Sequence, residues 1–518
     1  MHCSRIFYFL FMTAQTRWRL LAKPLVAASL ASWLSVCLVA CSGPGAPLAG
    51  GNAATSVPHP VAALVPPPMV TPKPALPPLF DDLQRRSFDF FWETTNPANG
   101  LVPDRWPQPP FASIASVGFA LTAYPVGVER GYISRAQARA RTLATARFFR
   151  DAPQGPEPTG KAGYKGFFYH FLDMNTGSRF GKTELSTVDT SLLLAGLLFA
   201  QSYFDAADPD EAEIRAAVET IAARIDWAWA QQNRPPRITL GWHPETGFIP
   251  HDWTGYNEAM LVVLMGLGAP VKPLAPSAWT DLTATYAASW SRTQGYDYLS
   301  FQALFAHQYT HQWVDFRGIQ DPYIQAKGID YFENSRRATY AQRAYAMDNP
   351  MRWKGYSGNV WGLTASDGPG DVKVADHAGE LRQFKDYFSR GVGLPHPFDD
   401  GTVAPTAAAS SLPFAPELVI PAVEEMHQKY GHVIYARYGF LDAFNPSFVN
   451  AQVKLSDGRV APGFGWVATD YLGIDQGPIV GMIENYRSEL VWRTMRKSPY
   501  LRRALERAGF TGGWLAAQ

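Results

Sequence analysis

Residues 184–225, ELSTVDTSLLLAGLLFAQSYFDAADPDEAEIRAAVETIAARI, decide the fold class. Thr190 to Ala200 is apolar almost throughout and rich in Ala and Leu. A helix with no polar side to turn to water belongs inside a larger helical body. The stretch that follows is of the other kind. Asp208 is a good N-cap, Pro209 sits at the first helical position, and Glu211 is placed to complete a capping box. Ile214, Val218, Ile221 and Ile225 then fall on one stripe, leaving the opposite face polar. A buried helix followed by a one-faced helix reads as a hairpin with an inner and an outer member.

The same alternation continues on both sides. Ser134 and Gln137 form a capping box, and Ala136, Ala140, Leu143 and Ala144 follow at helical spacing. Glu258 to Leu267 is a second almost wholly apolar segment, closed by Gly268 and Pro270. Hairpins of this type, stacked side by side, give two concentric layers, the pattern of an all-α (α/α) toroid. Periodicity does not count the hairpins, and no sequence repeat recurs at a fixed period. Few segments read as strands; Arg437 to Phe444 is the best candidate for a short extended piece.

Composition narrows the function. Of 518 residues, 47% are hydrophobic and 14% aromatic, which excludes a disordered or fibrous chain. Lys and Arg number 46 against 45 Asp and Glu, so the basic excess of a nucleic-acid binder is missing. The three cysteines, Cys3, Cys37 and Cys41, all precede residue 42. The remainder offers no disulfide, no Cys-based zinc site and no thiol nucleophile. Met12 to Cys41 reads as an export signal: Arg17, Arg19 and Lys23 precede a run from Leu25 to Val39 that is short for a membrane-spanning helix. Leu38-Val39-Ala40-Cys41 resembles a lipoprotein signal-peptidase box, with Cys41 lipidated. Ser42 carries no inner-membrane retention signal, so a periplasmic protein tethered to the outer membrane by its lipid alone is expected. Four basic residues leave with residues 1–41, taking the net charge from +1 to −3, in keeping with an uncharged substrate. Residues 42–79, with Val65-Pro66-Pro67-Pro68 and Thr71-Pro72-Lys73-Pro74, read as a semi-extended tether. The folded catalytic domain is expected over 80–518.

Three loops combine aromatics with carboxylates, amides and histidines: Gly241 to Glu258 (GWHPETGFIPHDWTGYNE), His307 to Asp321 (HQYTHQWVDFRGIQD) and Tyr435 to Asn445 (YARYGFLDAFN). Sugars present flat C–H faces and rings of hydroxyls, which aromatic platforms and charged or amide hydrogen-bonding groups can meet. Two carboxylates flanking a glycosidic bond supply acid and base. The alternative for each aromatic is core packing. Competing motifs fail. His307 and His311 have zinc-protease spacing, but Gln308 replaces the required Glu. Asp399-Asp400-Gly401 lacks the other ligands of a calcium loop. No phosphate-binding loop and no nucleophile elbow occurs. Thr364 to Gly368 reads as a turn after a helix. No metal and no cofactor is expected.

Seven stretches together resemble a known family: ELSTVDTSLLLAGLL (184–198), GYNEAML (255–261), HQYTHQWVDFRGIQD, YFENSRRATYAQRAYAMDNP (331–350), DDGTVAPTAAASSLPFAPE (399–417), YGFLDAFNP (438–446) and GIDQGPIVGMIENYR (473–487). They are similar to the glycoamylase-like domain that defines the bacterial endo-β-1,2-glucanases of glycoside hydrolase family 144. A related domain ends the cyclic β-1,2-glucan synthases. The resemblance spans roughly residues 80–510. It implies an (α/α)6 barrel and hydrolysis of β-1,2-glucan with inversion at the anomeric carbon. Matched to the family motif, Glu258 is the general acid; its alternative is a capping acid. Asp189 is a third acidic candidate, with an N-cap as its alternative. Asp442, set between apolar neighbours, is chosen as the base, with Asp400 and Asp470 in reserve. Trp242, Tyr256, His307, His311, Trp313, Arg317 and Trp361 are the expected substrate contacts. A β-linked glucan is the expected partner and a monomer the expected state. A β-1,2-glucan transglycosylase and a non-catalytic glycan-binding lipoprotein remain the alternatives. Synthesis is disfavoured, since these residues include no nucleotide-sugar glycosyltransferase domain.

Overall fold

The computed structural model describes residues 73–107 and 111–516. The signal segment, Cys41 and most of the tether lie outside the described residues. Helices α1 (Pro78–Thr94), α2 (Ile114–Glu129), α3 (Arg135–Asp151), α4 (Thr187–Tyr203), α5 (Pro209–Arg224) and α6 (Ala259–Gly268) are of two alternating kinds. Nearly every residue of α2, α4 and α6 is buried, whereas α1, α3 and α5 each bury one stripe. The buried set continues with the short helices Tyr309–Trp313 and Pro405–Ala409 and with Gly473–Ser488. The one-faced set continues with Tyr331–Asp348, Pro416–Ile434 and Pro499–Arg507. Helix Gly473–Ser488 packs on both α1 and α2, which closes the ring, and Pro499–Arg507 packs on α6. Among the described residues, these six inner and six outer helices make the (α/α)6 toroid.

The inner helices approach closely because they carry glycine where they cross. A Cβ built on Gly118 of α2 would stand 2.2 Å from the Leu192 carbonyl oxygen of α4. One on Gly196 of α4 would stand 2.1 Å from the Gly118 carbonyl oxygen. Backbone meets backbone at this crossing, and no larger residue fits without moving a helix.

Local signals hold with one correction. The Ser134–Gln137 capping box is present. Asp208 caps α5 by accepting the N–H groups of Asp210 and Glu211. Glu211 does not close the box: its carboxylate accepts from the Ala206 N–H at 2.8 Å and from Arg135 of α3 at 2.8 and 2.9 Å. A guanidinium is a stronger donor than a neutral backbone N–H and draws the side chain away. The folded part also begins earlier than residue 80. α1 starts at Pro78, the Tyr486 hydroxyl donates to the Pro74 carbonyl at 2.6 Å, and Lys73 reaches the Tyr486 carbonyl.

Strands are more numerous than the sequence suggests. Most are two or three residues long, too short to display alternation. The largest sheet is antiparallel and joins Gly163–Tyr164, Phe167–Tyr169, Leu185–Ser186, Gly241–His243 and Gly247–Phe248. Within 437–444, Gly439–Phe440 pairs with Tyr435–Ala436, and Phe444 begins a separate strand pairing with Gly465–Val467. These pieces sit in the loops that feed the inner helices.

Candidate active site

Three inner helices are entered from short strands. Phe111–Ser113 leads into α2, Leu185–Ser186 into α4, and Tyr471–Leu472 into helix Gly473–Ser488. The strand pairings Ser113 with Phe171, and Leu472 with Arg105, draw these entries together. A cleft opens where they converge, and Glu258, at the start of α6, completes it. Its polar wall consists of Asp104, Arg105, His170, Asp189 and Glu258; Phe171, Phe305, Tyr309, Tyr387 and Leu472 supply the apolar surface.

Glu258 occupies the N-cap position of α6 without capping it. Asn257 does that work by accepting the Ala259 N–H at 2.9 Å. Among the described residues no side-chain hydrogen bond holds the Glu258 carboxyl. It is surrounded by protein yet keeps an opening onto the cleft. Burial, followed by the charge of Asp189, pushes it up to about 8, against a smaller opposing pull from His170. At neutral pH it carries a proton and is free to give it away.

Asp189 is not the cap of α4 either. Ser186 is: its Oγ accepts the Asp189 N–H at 3.1 Å and donates to Asp189 Oδ2 at 2.5 Å. Asp189 Oδ1 stands 3.7 Å from His170 Nε2, and the other ring nitrogen lies 2.8 Å from Glu184 Oε1. Burial would lower the imidazole, but Asp189 and Glu184 outweigh it and lift His170 to about 9. Burial in turn raises Asp189. Donor atoms of His170, Glu184 and Asp189 all lie within 4.8 Å of one another, a spacing that could hold a metal ion. No local spacing in the sequence marks this group. Here an imidazolium between two carboxylates satisfies the same three side chains.

Asp442 does not line the cleft. It is 2% exposed and lies within electrostatic reach of Tyr309 and Tyr387, which do line it. Its Oδ2 accepts the Asp367 N–H at 2.6 Å. Burial, with Asp475 and Asp367 as acidic neighbours, raises it well above the ordinary carboxylate range. The surrounding group is strongly acidic. Arg105 reaches Asp367 at 3.0 Å, Asp104 at 3.4 Å and Asp470 at 3.6 Å. Asp470, one reserve, therefore belongs to this group. Asp400, the other, is fully buried in a bidentate pair with Arg390 at 2.8 and 2.9 Å. Thr364 to Gly368 is not a turn after a helix: Ala365–Ser366 is a strand paired with Phe388–Ser389, and it presents the Asp367 N–H.

None of the seven expected sugar contacts lines this cleft. Trp313 stacks on Phe119 at 5.2 Å and donates its indole N–H to Thr122 at 2.9 Å. Tyr256 stacks parallel to Tyr331 and lies 5.0 Å from the His307 ring. His311 meets the Ser335 hydroxyl at 3.0 Å, and Trp361 is buried in a second apolar cluster. Arg317 is tied to Asp315 and Glu489 and lies over the Trp492 ring at 4.3 Å. Trp242 is half-buried against Tyr164 and Trp229. The aromatic density that suggested a sugar platform is here mostly packing of a thick helical body. The cleft's own aromatics and its Asp104–Arg105 pair were missed. Tyr309 and Asp475 stand inside quoted stretches but beside louder neighbours.

The "Glycoamylase" family model, described as "Putative glucoamylase", matches residues 250–499. A solved structure from Bacteroides uniformis, given the same description, is 30% identical. It covers 84% of this chain and 98% of its own, with a TM-score of 0.71. This chain belongs to the glycoamylase-like family. Another family member of known structure is an endo-β-1,2-glucanase from Chitinophaga pinensis, in complex with sophorotriose and glucose. It is 26% identical over 84% of this chain and 99% of its own, with a TM-score of 0.70. The exo β-1,2-glucooligosaccharide sophorohydrolase (non-reducing end) of Parabacteroides distasonis is 27% identical over 460 residues, 83% of this chain. The chain spans 57% of that relative's length.

Proposed function

We propose that this glycoamylase-like protein is a glycoside hydrolase that cleaves β-1,2-glucan, with Glu258 as proton donor and with the acidic group of Asp442, Asp475 and Asp367 supplying the base that activates water. The observation that carries the proposal is Glu258: a carboxyl at the cleft wall, held protonated at neutral pH by burial and without a hydrogen-bonding partner among the described residues. That is the state a general acid needs before it meets a glycosidic oxygen. The β-1,2-glucan specificity is supported by the names of the Chitinophaga and Parabacteroides relatives. The non-catalytic reading loses ground because a binding module has no use for a buried, protonated carboxyl at a cleft wall.

Incubation of the purified protein with linear β-1,2-glucan should generate new reducing ends. A mixture of oligosaccharides early in the reaction supports internal cleavage; sophorose alone supports the exo mode named for the Parabacteroides relative. No new reducing ends would refute the hydrolase. For location, the motif at Leu38 to Cys41 supports a lipid-anchored, periplasm-facing protein. Labelled fatty acid should enter the wild type and fail to enter Cys41→Ala; its absence from the wild type would refute the anchor.

A further inference from the structure

Four short segments lie side by side at the rim of the cleft, each antiparallel to the next. Pro103 pairs with Ala112, Ser113 with Phe171, and Leu172 with Arg179. Asp104 and Phe180 extend these ladders by donating their N–H groups to the Phe111 and Phe171 carbonyls, at 3.0 and 2.9 Å. Side chains along such segments alternate between two faces, and residues opposite one another share a face. Pro103, Ala112 and Leu172 fall on one face and are buried. The other face carries Asp104, Phe111, Ser113, Phe171 and Phe180, and the two-residue period places Trp106 with them. Asp104, Ser113 and Phe171 line the cleft. The Phe111 ring lies 4.6 Å from that of Phe171 and is stacked on Phe180 at 5.0 Å. Exposure rises along this face. Phe171 is 4% exposed, Phe111 and Phe180 are half-buried, and Trp106 is 40% exposed. Among the described residues no other Phe, Tyr or Trp is as exposed.

A single exposed apolar side chain needs no explanation, but a row of rings running out of a cleft does. Three rings, two of them half-buried, offer far less than the roughly 800 Å² per partner of a standard protein interface. They suit a narrower occupant. A pyranose has a flat C–H face that an aromatic ring can cover, while its hydroxyls stay in water. The row is also continuous with the cleft through Phe171. We propose that Phe111, Phe180 and Trp106 form a platform for the part of the glucan chain that extends beyond the cleft, with Trp106 stacking on the outermost glucosyl residue held there. This rests on the reading of the substrate as a β-1,2-glucan. The cleft holds the sugars around the scissile bond whatever the chain length, and only longer chains reach the platform. Contacts made there are equally strong before and during bond cleavage. They lower KM for long chains and leave kcat alone. Trp106 is thus a determinant of chain-length preference and takes no part in the chemistry.

The test compares kinetics of the full-length protein on long linear β-1,2-glucan and on the shortest β-1,2-glucooligosaccharide that the wild type cleaves. Trp106→Ala should raise KM for the long chain about 3–10-fold, the worth of one aromatic stacking contact. Its kcat, and both constants on the short chain, should stay at wild-type values. Trp106→Phe keeps a ring and should recover most of the loss. The side chain is exposed, so neither change should unfold the protein. An equal effect on both chain lengths, or none on either, overturns the proposal. Calorimetric titration with the long glucan separates this outcome from the hydrolase reading. In a Glu258→Gln background, adding Trp106→Ala should weaken binding by the same factor. If the wild type cleaves neither chain but loses affinity for long glucan in Trp106→Ala, the hydrolase reading falls and the platform stands. If the wild type cleaves both chains and Trp106→Ala changes nothing, the platform alone falls. A protein that neither cleaves nor binds the glucan overturns both.

Discussion

Glu258 and Asp400 show how little residue type says about role. Both are acids inside motif stretches, and both are enclosed by protein. Asp400 is satisfied by Arg390 in a pair with no exposed surface, a structural arrangement. Glu258 has no side-chain hydrogen bond among the described residues, and its raised proton affinity points to work at the cleft. The sign of the pH dependence follows. The acid form is present below about 8 and is lost as pH rises through that value, so turnover should fall on an alkaline limb near pH 8. Glu258→Gln should cost about 10²–10⁴-fold in kcat, abolish that limb and leave sugar binding and melting temperature close to wild type. Normal turnover in the amide variant, or a limb that persists in it, would remove Glu258 from the mechanism. Sequence could propose Glu258 from its place in the GYNEAML stretch. Its freedom from partners was not legible, because Asn257, one residue earlier, takes over the capping that the acid would otherwise perform.

At the scale of elements, the readable features were those that repeat along one helix: the apolar run of α4, the single stripe of α5, the capping box of α3. What stayed hidden was made by pairing between distant segments. Strands of two and three residues bring His170 and Glu184 to the N-terminus of α4, and no local pattern marks them. His307, Trp313 and Trp361 mislead for the converse reason, since an aromatic that fills a core and one that stacks on sugar look alike in sequence. The crossing of α2 and α4 ties packing to function. Gly118 lies five residues from Ser113 and Gly196 seven from Asp189, so the crossing fixes two walls of the cleft. Gly118→Ala puts a methyl group against the Leu192 carbonyl, and backbone has no rotamer by which to yield. A loss of roughly 1–3 kcal/mol is expected, read as a lower midpoint in urea unfolding, together with reduced kcat/KM from the displaced helix ends. A variant as stable and as active as wild type would mean the two helices can part without consequence.

For the whole molecule, the toroid sets the stereochemistry by how far apart it holds acid and base. Glu258 comes from the start of α6, while Asp442 comes from a loop near the start of the helix that closes the ring. The charges that act on Glu258 are those of Asp189 and His170; on Asp442 they are those of Asp475 and Asp367. Neither carboxyl is among the other's perturbing neighbours, although the phenol of Tyr309 senses both. A retaining pair at about 5–5.5 Å would interact directly, whereas an inverting pair at roughly 6.5–9.5 Å leaves room for a water between base and sugar. Inversion is what the family resemblance implies, and it calls for the wider of the two spacings. Cleavage of a β-1,2 linkage should release a reducing end that is first α-configured and then mutarotates. Proton NMR during the first minutes of a concentrated reaction, or polarimetry, reads this directly. A β-configured product would require a nucleophile within reach of the anomeric carbon. Asp189, which shares the cleft wall with Glu258, would then become the residue to test in place of Asp442.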